Sequence, residues 1–204
     1  MKRLLMELIG TFFFLLTLAV TGNALATGAM LMAWIYIGAS VSGGHYNPLV
    51  SLAVKLMGRL SWRETFFYWI AQILGGVAAY TVAATLLNRL AIPQPGVELF
   101  PAFIFEILLS FVFGLLVLVV VLNNKYRDNH IFGFAIGFTL FALAIVGAPI
   151  SGGLFNPAIA LGSNLAGLLK GMTIAWPVVA MYVGGGLLGG LLAAHAYRYF
   201  IIEK

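Results

Sequence analysis

An eleven-residue segment occurs twice in this chain, as Ser42-Gly43-Gly44-His45-Tyr46-Asn47-Pro48-Leu49-Val50-Ser51-Leu52 and as Ser151-Gly152-Gly153-Leu154-Phe155-Asn156-Pro157-Ala158-Ile159-Ala160-Leu161. The two copies align without a gap, with six positions identical. Three apolar stretches long enough to cross a bilayer separate them, at about Phe66–Leu87, Phe100–Leu122 and Ile131–Val146. An odd number of crossings puts the second copy on the opposite face from the first. The two halves are therefore expected to be inverted-topology repeats, and few folds satisfy that constraint.

Composition agrees with a membrane fold. Of the 204 residues 62% are hydrophobic and 8% charged, where a soluble domain carries roughly one quarter charged residues. Further apolar runs at about Leu4–Thr21, Leu25–Val41 and Ile174–Phe200 bring the expected spans to six. The length leaves room for one domain, divided into repeats at residues 1–99 and 100–204. Two other apolar stretches, about Pro48–Met57 and Pro157–Leu169, are too short for a hydrocarbon core of ~30 Å at about 1.5 Å per residue. They read as half-helices, each opened by a proline where a first-turn position needs no amide donor and each preceded by a helix-breaking Ser-Gly-Gly. The expected class is an all-α membrane protein with six transmembrane helices and two re-entrant half-helices.

A net charge of +5 and a pI near 9.6 would raise nucleic-acid binding in a soluble protein. Here the basic residues occupy the gaps between apolar runs, so they report orientation and no nucleic-acid partner is expected. Lys2, Arg3, Lys55, Arg59, Arg63, Lys125, Arg127, Arg198 and Lys204 fall on one side, Arg89 and Lys170 on the other. That bias places both termini in the cytoplasm, with the plasma (inner) membrane as the expected location. Met1-Lys2-Arg3 resembles the start of a signal peptide, but the run stays apolar through Val20 without an Ala-x-Ala site and reads as the first membrane helix. The absence of cysteine removes disulfides, thiolate catalysis and Cys-bound metal. His130 and His195 are isolated and Asp128 is the only aspartate, so neither an enzyme nor a metal or other cofactor is expected.

Inversion makes the two half-helices enter from opposite faces, with their N-termini meeting near the midplane. Non-helical backbone at that depth is tolerated only where protein buries it or it lines a wet cavity. Ser42, Gly43, Gly44, His45 and their counterparts Ser151, Gly152 and Gly153 therefore imply a pore lined by backbone carbonyls. Each helix N-terminus offers about half a positive charge to the meeting point, which disfavours cations. Asn47 and Asn156 are expected there, each with its side-chain oxygen capping its own half-helix and its NH2 turned to the lumen. Glu7 and Glu106 are the carboxylates lying well inside spans, one in the first helix of each half; intramembrane acids are functional or paired. Gly75, Gly76, Gly184, Gly185, Gly186, Gly189 and Gly190 suit close helix approach. Trp34, Trp69, Tyr80 and Tyr182 are candidates to line a pore, although interfacial or lipid-facing placement is the commoner use of such aromatics.

Paired Asn-Pro-Ala-type motifs, Asn47-Pro48-Leu49 and Asn156-Pro157-Ala158, with a glutamate in the first helix of each half, resemble the aquaporin or major intrinsic protein family. The resemblance covers essentially the whole chain and includes His45, Ala71-Gln72 and Gly184-Gly185-Gly186. It implies that Glu7 and Glu106 hold the re-entrant loops in shape through backbone amides. It also implies passive permeation of water and small neutral solutes across the lipid bilayer, and a homotetramer of separate pores.

The chain departs from the family at the constriction. Most aquaporins place an arginine directly after the second Asn-Pro-Ala, where this chain has Ile159. Carried over by distance from the asparagines, the other constriction positions are Thr27, Ala144 and Gly153. Together the four make a filter without a fixed cation and with little bulk, expected to admit solutes such as glycerol, urea or ammonia. An alternative is that Phe155 or another large side chain fills the gap. A secondary transporter that uses the midplane Asn47 and Asn156 with Glu7 and Glu106 for coupled small-solute transport is the rival reading.

Overall fold

The computed structural model describes residues 1–88, 90–126 and 129–202; Arg89, Arg127, Asp128 and Lys204, used in the sequence argument, lie outside them. Among the described residues eight α-helices follow one another: α1 (Lys2–Thr21), α2 (Ala24–Ser42), α3 (Pro48–Leu56), α4 (Trp62–Leu87), α5 (Leu99–Leu122), α6 (Phe132–Gly147), α7 (Pro157–Leu169) and α8 (Trp176–Tyr197). Local chemistry sets several boundaries. Gly22 ends α1 with φ +58°, and Asn23 immediately starts α2 by accepting the Ala26 amide at 2.9 Å. Ser61 and Glu64 form a reciprocal capping box at the start of α4: the Ser61 hydroxyl accepts the Glu64 amide at 3.2 Å, and the Glu64 carboxylate accepts the Ser61 amide at 2.8 Å.

Helices α1, α2, α4, α5 and α8 are long and apolar enough to cross a membrane. Leu74, Leu108 and Phe138 are about half exposed, which suits contact with lipid. The sixth expected span is shorter. Helix α6 has 16 residues, about 24 Å at 1.5 Å per residue, and continues into turns at residues 148–151. The Gly147 carbonyl gathers the amides of Ile150, Ser151 and Gly152, each at 3.0 Å, which bends the chain early into the second re-entrant loop. Helices α3 and α7, of 9 and 13 residues, are the two half-helices.

The order of two long helices, a half-helix and another long helix occurs twice, and packing repeats with it. Helix α1 lies on α4 as α5 lies on α8, α7 packs on α4 as α3 packs on α8, and α2 crosses α6. Glycine makes these approaches possible. A Cβ on Gly75 would stand 2.5 Å from the Leu8 carbonyl oxygen, and one on Gly189 would stand 2.6 Å from that of Ile107. Gly76 and Gly190 admit the half-helices in the same way, against the carbonyls of Ala158 and Leu49. Gly184 has no such tight neighbour.

Gly28 of α2 and Gly137 of α6 occupy matching positions in the two repeats, and each would drive a Cβ into the other's carbonyl oxygen. Backbone cannot yield there as a flexible side chain could. Gly28→Val is expected to destabilise the protein by about 1–3 kcal/mol, the usual range for overpacking. Thermal unfolding in detergent measures this, and an unchanged midpoint would refute the close crossing.

Candidate functional site

The N-termini of α3 and α7 meet inside the bundle, and Asn47 and Asn156 cap them. Asn47 Oδ1 accepts the Leu49 amide at 3.0 Å and Asn156 Oδ1 accepts the Ala158 amide at 3.0 Å. Each NH2 then reaches across the junction: Asn47 Nδ2 donates to the Phe155 carbonyl at 3.0 Å, and Asn156 Nδ2 to the Tyr46 carbonyl at 3.1 Å. An amide nitrogen carries two protons, so one N–H per asparagine remains beyond this clasp. The residues presenting those carbonyls are strained, with φ +48° at Tyr46 and +29° at Phe155. Sequence reading missed the cross-donation. Its acceptors are backbone carbonyls, which leave no side-chain signal in the sequence.

Each loop is held on a buried carboxylate. Glu7 Oε1 accepts the Ser42 hydroxyl at 2.6 Å and the His45 amide at 3.0 Å, and its Oε2 accepts the Tyr46 amide at 2.7 Å. Glu106 repeats the pattern with the Ser151 hydroxyl at 2.6 Å, the Leu154 amide at 3.0 Å and the Phe155 amide at 2.7 Å. The first half adds one donor, Gln72 Nε2 of α4, 2.8 Å from Glu7 Oε2 and 2.9 Å from Ser51 Oγ. The His45 ring nitrogen Nδ1 lies 3.1 Å from the same Ser51 hydroxyl. In the second half Gly186 stands where Gln72 would be, four residues after the matching tyrosine, and a Cβ there would meet the Pro157 ring at 3.0 Å. That space belongs to the proline.

Two of these aromatics, Tyr80 and Tyr182, are buried away from any interface or lipid face. Tyr182 is buried and donates its hydroxyl to the Ser151 carbonyl at 2.6 Å, as Tyr68 does to the Ser42 carbonyl at 2.7 Å. Trp69 Nε1 donates to the Pro48 carbonyl at 3.0 Å, and Tyr80 is buried in a cavity wall. Polar tips that would face water at an interface find loop and half-helix carbonyls instead. Trp34 is half-buried and stacks on Phe13, with ring centroids 5.3 Å apart.

Two cavities flank the asparagine pair. The larger, of about 1000 Å³, lies at the Lys/Arg-rich end and is lined by Ser42, Gly43, Gly44 and His45 together with Arg3 and Arg59. The smaller, of about 460 Å³, is lined by Gly152, Gly153, Thr27, Ala144 and Ile159. All four expected constriction positions thus stand in one cavity wall. Gly153 packs against Ala144, where an added Cβ would lie 2.9 Å from the Ala144 carbonyl oxygen. The Thr27 hydroxyl is spent on its own helix, donating to the Asn23 carbonyl at 2.8 Å. Asn47 and Asn156 are buried, 3% and 2% exposed, while their neighbours His45 and Phe155 stand in the walls of the larger and the smaller cavity.

Inverted half-helices meeting between two opposed vestibules, inside a bundle with apolar outer faces, define a polytopic membrane channel. The chain belongs to the major intrinsic protein family, whose pattern it matches over residues 14–197. A probable aquaporin of TIP type alpha from Phaseolus vulgaris is 34% identical, over 88% of this chain and 70% of the relative. Glycerol uptake facilitator protein-like 6 from Lactiplantibacillus plantarum is 32% identical over 97% of both chains. The fold is shared with the X-ray structure of the aquaglyceroporin from Plasmodium falciparum, at a TM-score of 0.85 and 21% identity over 98% of this chain and 96% of that one.

Proposed function

We propose that this passive channel for water and small solutes has a wide, uncharged outer constriction formed by Thr27, Ala144, Gly153 and Ile159, through which glycerol, urea or ammonia passes with water. The convergence of those four residues on one cavity wall carries the reading. None bears a charge, and the Thr27 hydroxyl is already engaged, so the rim offers solutes width and apolar contact in place of fixed donors. Rejection of cations then falls to the midplane, where the α3 and α7 N-termini present their dipoles beside Asn47 and Asn156. The Gly43-Gly44 and Gly152-Gly153 backbones supply carbonyl acceptors along each vestibule. Pro48, Leu49, Pro157 and Ala158 serve as the first turns that fix the asparagines.

The same reading places both termini in the cytoplasm of a plasma (inner) membrane, with residues 1–99 and 100–204 as the two repeats and four chains assembling as separate pores. Coupled transport is disfavoured because Glu7 and Glu106 both spend their oxygens on loop donors. Those donors compete with a transported proton for the same lone pairs.

Stopped-flow shrinkage of reconstituted vesicles against sucrose, glycerol and urea tests the proposal. Protein-bearing vesicles are expected to pass water and glycerol faster than empty ones. Ile159→Arg places a cation and bulk in the smaller cavity, and is expected to cut glycerol flux about tenfold, the effect of roughly 1.4 kcal/mol on a barrier, while lowering water flux less. Equal change in both fluxes would remove Ile159 from the constriction.

A further inference from the structure

Two phenyl rings stand at the partition between the cavities. Phe113 of α5 is in the wall of the larger cavity and Phe155 in that of the smaller. Their centroids are 5.4 Å apart with planes tilted by 55°, and they are 2% and 1% exposed. We propose that the Phe113–Phe155 pair is the channel's size barrier, and that Leu109 keeps Phe155 in it. This rests on the channel reading and moves size selection inward, from the uncharged rim to the level of the asparagines.

The repeat supplies an internal comparison. Tyr46 precedes Asn47 as Phe155 precedes Asn156, yet Tyr46 is withdrawn between helices. Its ring occupies the space a Cβ on Gly10 would need, its hydroxyl the space beside Gly38, and that hydroxyl donates to the Trp34 carbonyl at 2.8 Å. In the second repeat the position matching Gly38 is Gly147, but the position matching Gly10, three residues after the buried glutamate, is Leu109. Leu109 is 4% exposed, and its Cδ1 lies 2.6 Å from where a Cβ on Gly147 would stand. A leucine therefore fills the slot that receives the tyrosine in the first half. Phe155 turns to Phe113 instead.

Backbone motion cannot relieve the barrier. The Phe155 amide is held by Glu106 Oε2 at 2.7 Å and its carbonyl by Asn47 Nδ2 at 3.0 Å. Phe113 lies seven residues after Glu106 on the same face of α5, so the helix that carries one ring also carries the carboxylate that holds the backbone of the other. Two apolar rings at this depth narrow the path and offer a passing solute no hydrogen bond, which costs a polyol more than a single water.

The test uses the full chain in vesicles, with glycerol and water permeabilities read by stopped flow and thermal unfolding in detergent as the check on folding. Phe155→Ala is expected to raise the glycerol-to-water ratio about tenfold. Leu109→Gly keeps both phenylalanines but opens the slot into which Phe155 can withdraw, and is expected to move the ratio the same way by less. Phe155→Leu, the conservative change, is expected to fall between wild type and Phe155→Ala. If the folded variants keep the wild-type ratio while Ile159→Arg shifts it, the barrier lies at the rim and the proposal is overturned. If neither wild type nor any variant exceeds empty vesicles, the channel reading itself falls.

Discussion

Glu7→Ala is expected to prevent the folded channel from accumulating, with a loss of stability on the order of 4 kcal/mol or more. The carboxylate accepts from Ser42, His45, Tyr46 and Gln72, and Glu7 itself is fully buried. Removing it strands those donors, and each unsatisfied buried group costs about 1–3 kcal/mol. Glu106→Ala strands only Ser151, Leu154 and Phe155 and is expected to be less severe. The isosteric Glu7→Gln and Glu106→Gln variants separate this structural role from proton relay. In Glu106→Gln the new amide can keep its oxygen toward Ser151 and Leu154, leaving the Phe155 amide opposed by an NH2. In Glu7→Gln the new amide must oppose donors on either side, and only the free Oε1 of Gln72 offers relief by an amide flip. The expected order of stability, by thermal unfolding in detergent, is wild type, Glu106→Gln, Glu7→Gln, then the two alanine variants. A relay predicts stable glutamine variants that have lost a proton-dependent flux; finding that pattern would sink the structural reading.

The architecture was legible because bilayer thickness translates directly into run length, and because a gapless repeat separated by three crossings has one topological solution. The proline-opened half-helices and the paired glutamates both follow from one-dimensional patterns. What resisted was anything set by side-chain direction. Trp69, Tyr80 and Tyr182 looked interfacial because amphipathic aromatics in apolar runs commonly are. Only the folded chain shows that loop carbonyls need the Trp69 indole and the Tyr182 hydroxyl more than the interface does. Helix α6 ends early because the Gly147 carbonyl gathers three amides, a local arrangement no hydropathy pattern encodes. Phe14 and Phe113 were overlooked although each follows its buried glutamate by seven residues; a repeat search extended to the first helix of each half would have paired them. The difference between Gly10 and Leu109 was visible as letters, and acquired meaning only when Tyr46 and Phe155 were seen to point in different directions.

Asn156→Asp is expected to keep the water path and open it to protons. Aspartate caps helices as well as asparagine does, so its Oδ1 can still accept the Ala158 amide that Asn156 holds at 3.0 Å. The second oxygen replaces the NH2 and faces the Tyr46 carbonyl, the former acceptor at 3.1 Å, so an attraction becomes a repulsion between two acceptors. The larger consequence is electrostatic. The two half-helix N-termini contribute about half a positive charge each, and a carboxylate between them cancels the field that turns cations away. Water oxygen also loses a donor there, which weakens the constraint that points its hydrogens outward. Proton leak, followed by the decay of a pH gradient with an entrapped dye, is expected to rise about tenfold or more, the effect of about 1.4 kcal/mol on the barrier, with osmotic water flux falling by less. Asn156→Ala loses the cap as well, about 1 kcal/mol, but adds no charge, so its leak is expected to rise less than that of Asn156→Asp. Equal leak in wild type and Asn156→Asp, at retained water flux, would place cation rejection elsewhere than at the paired half-helix ends.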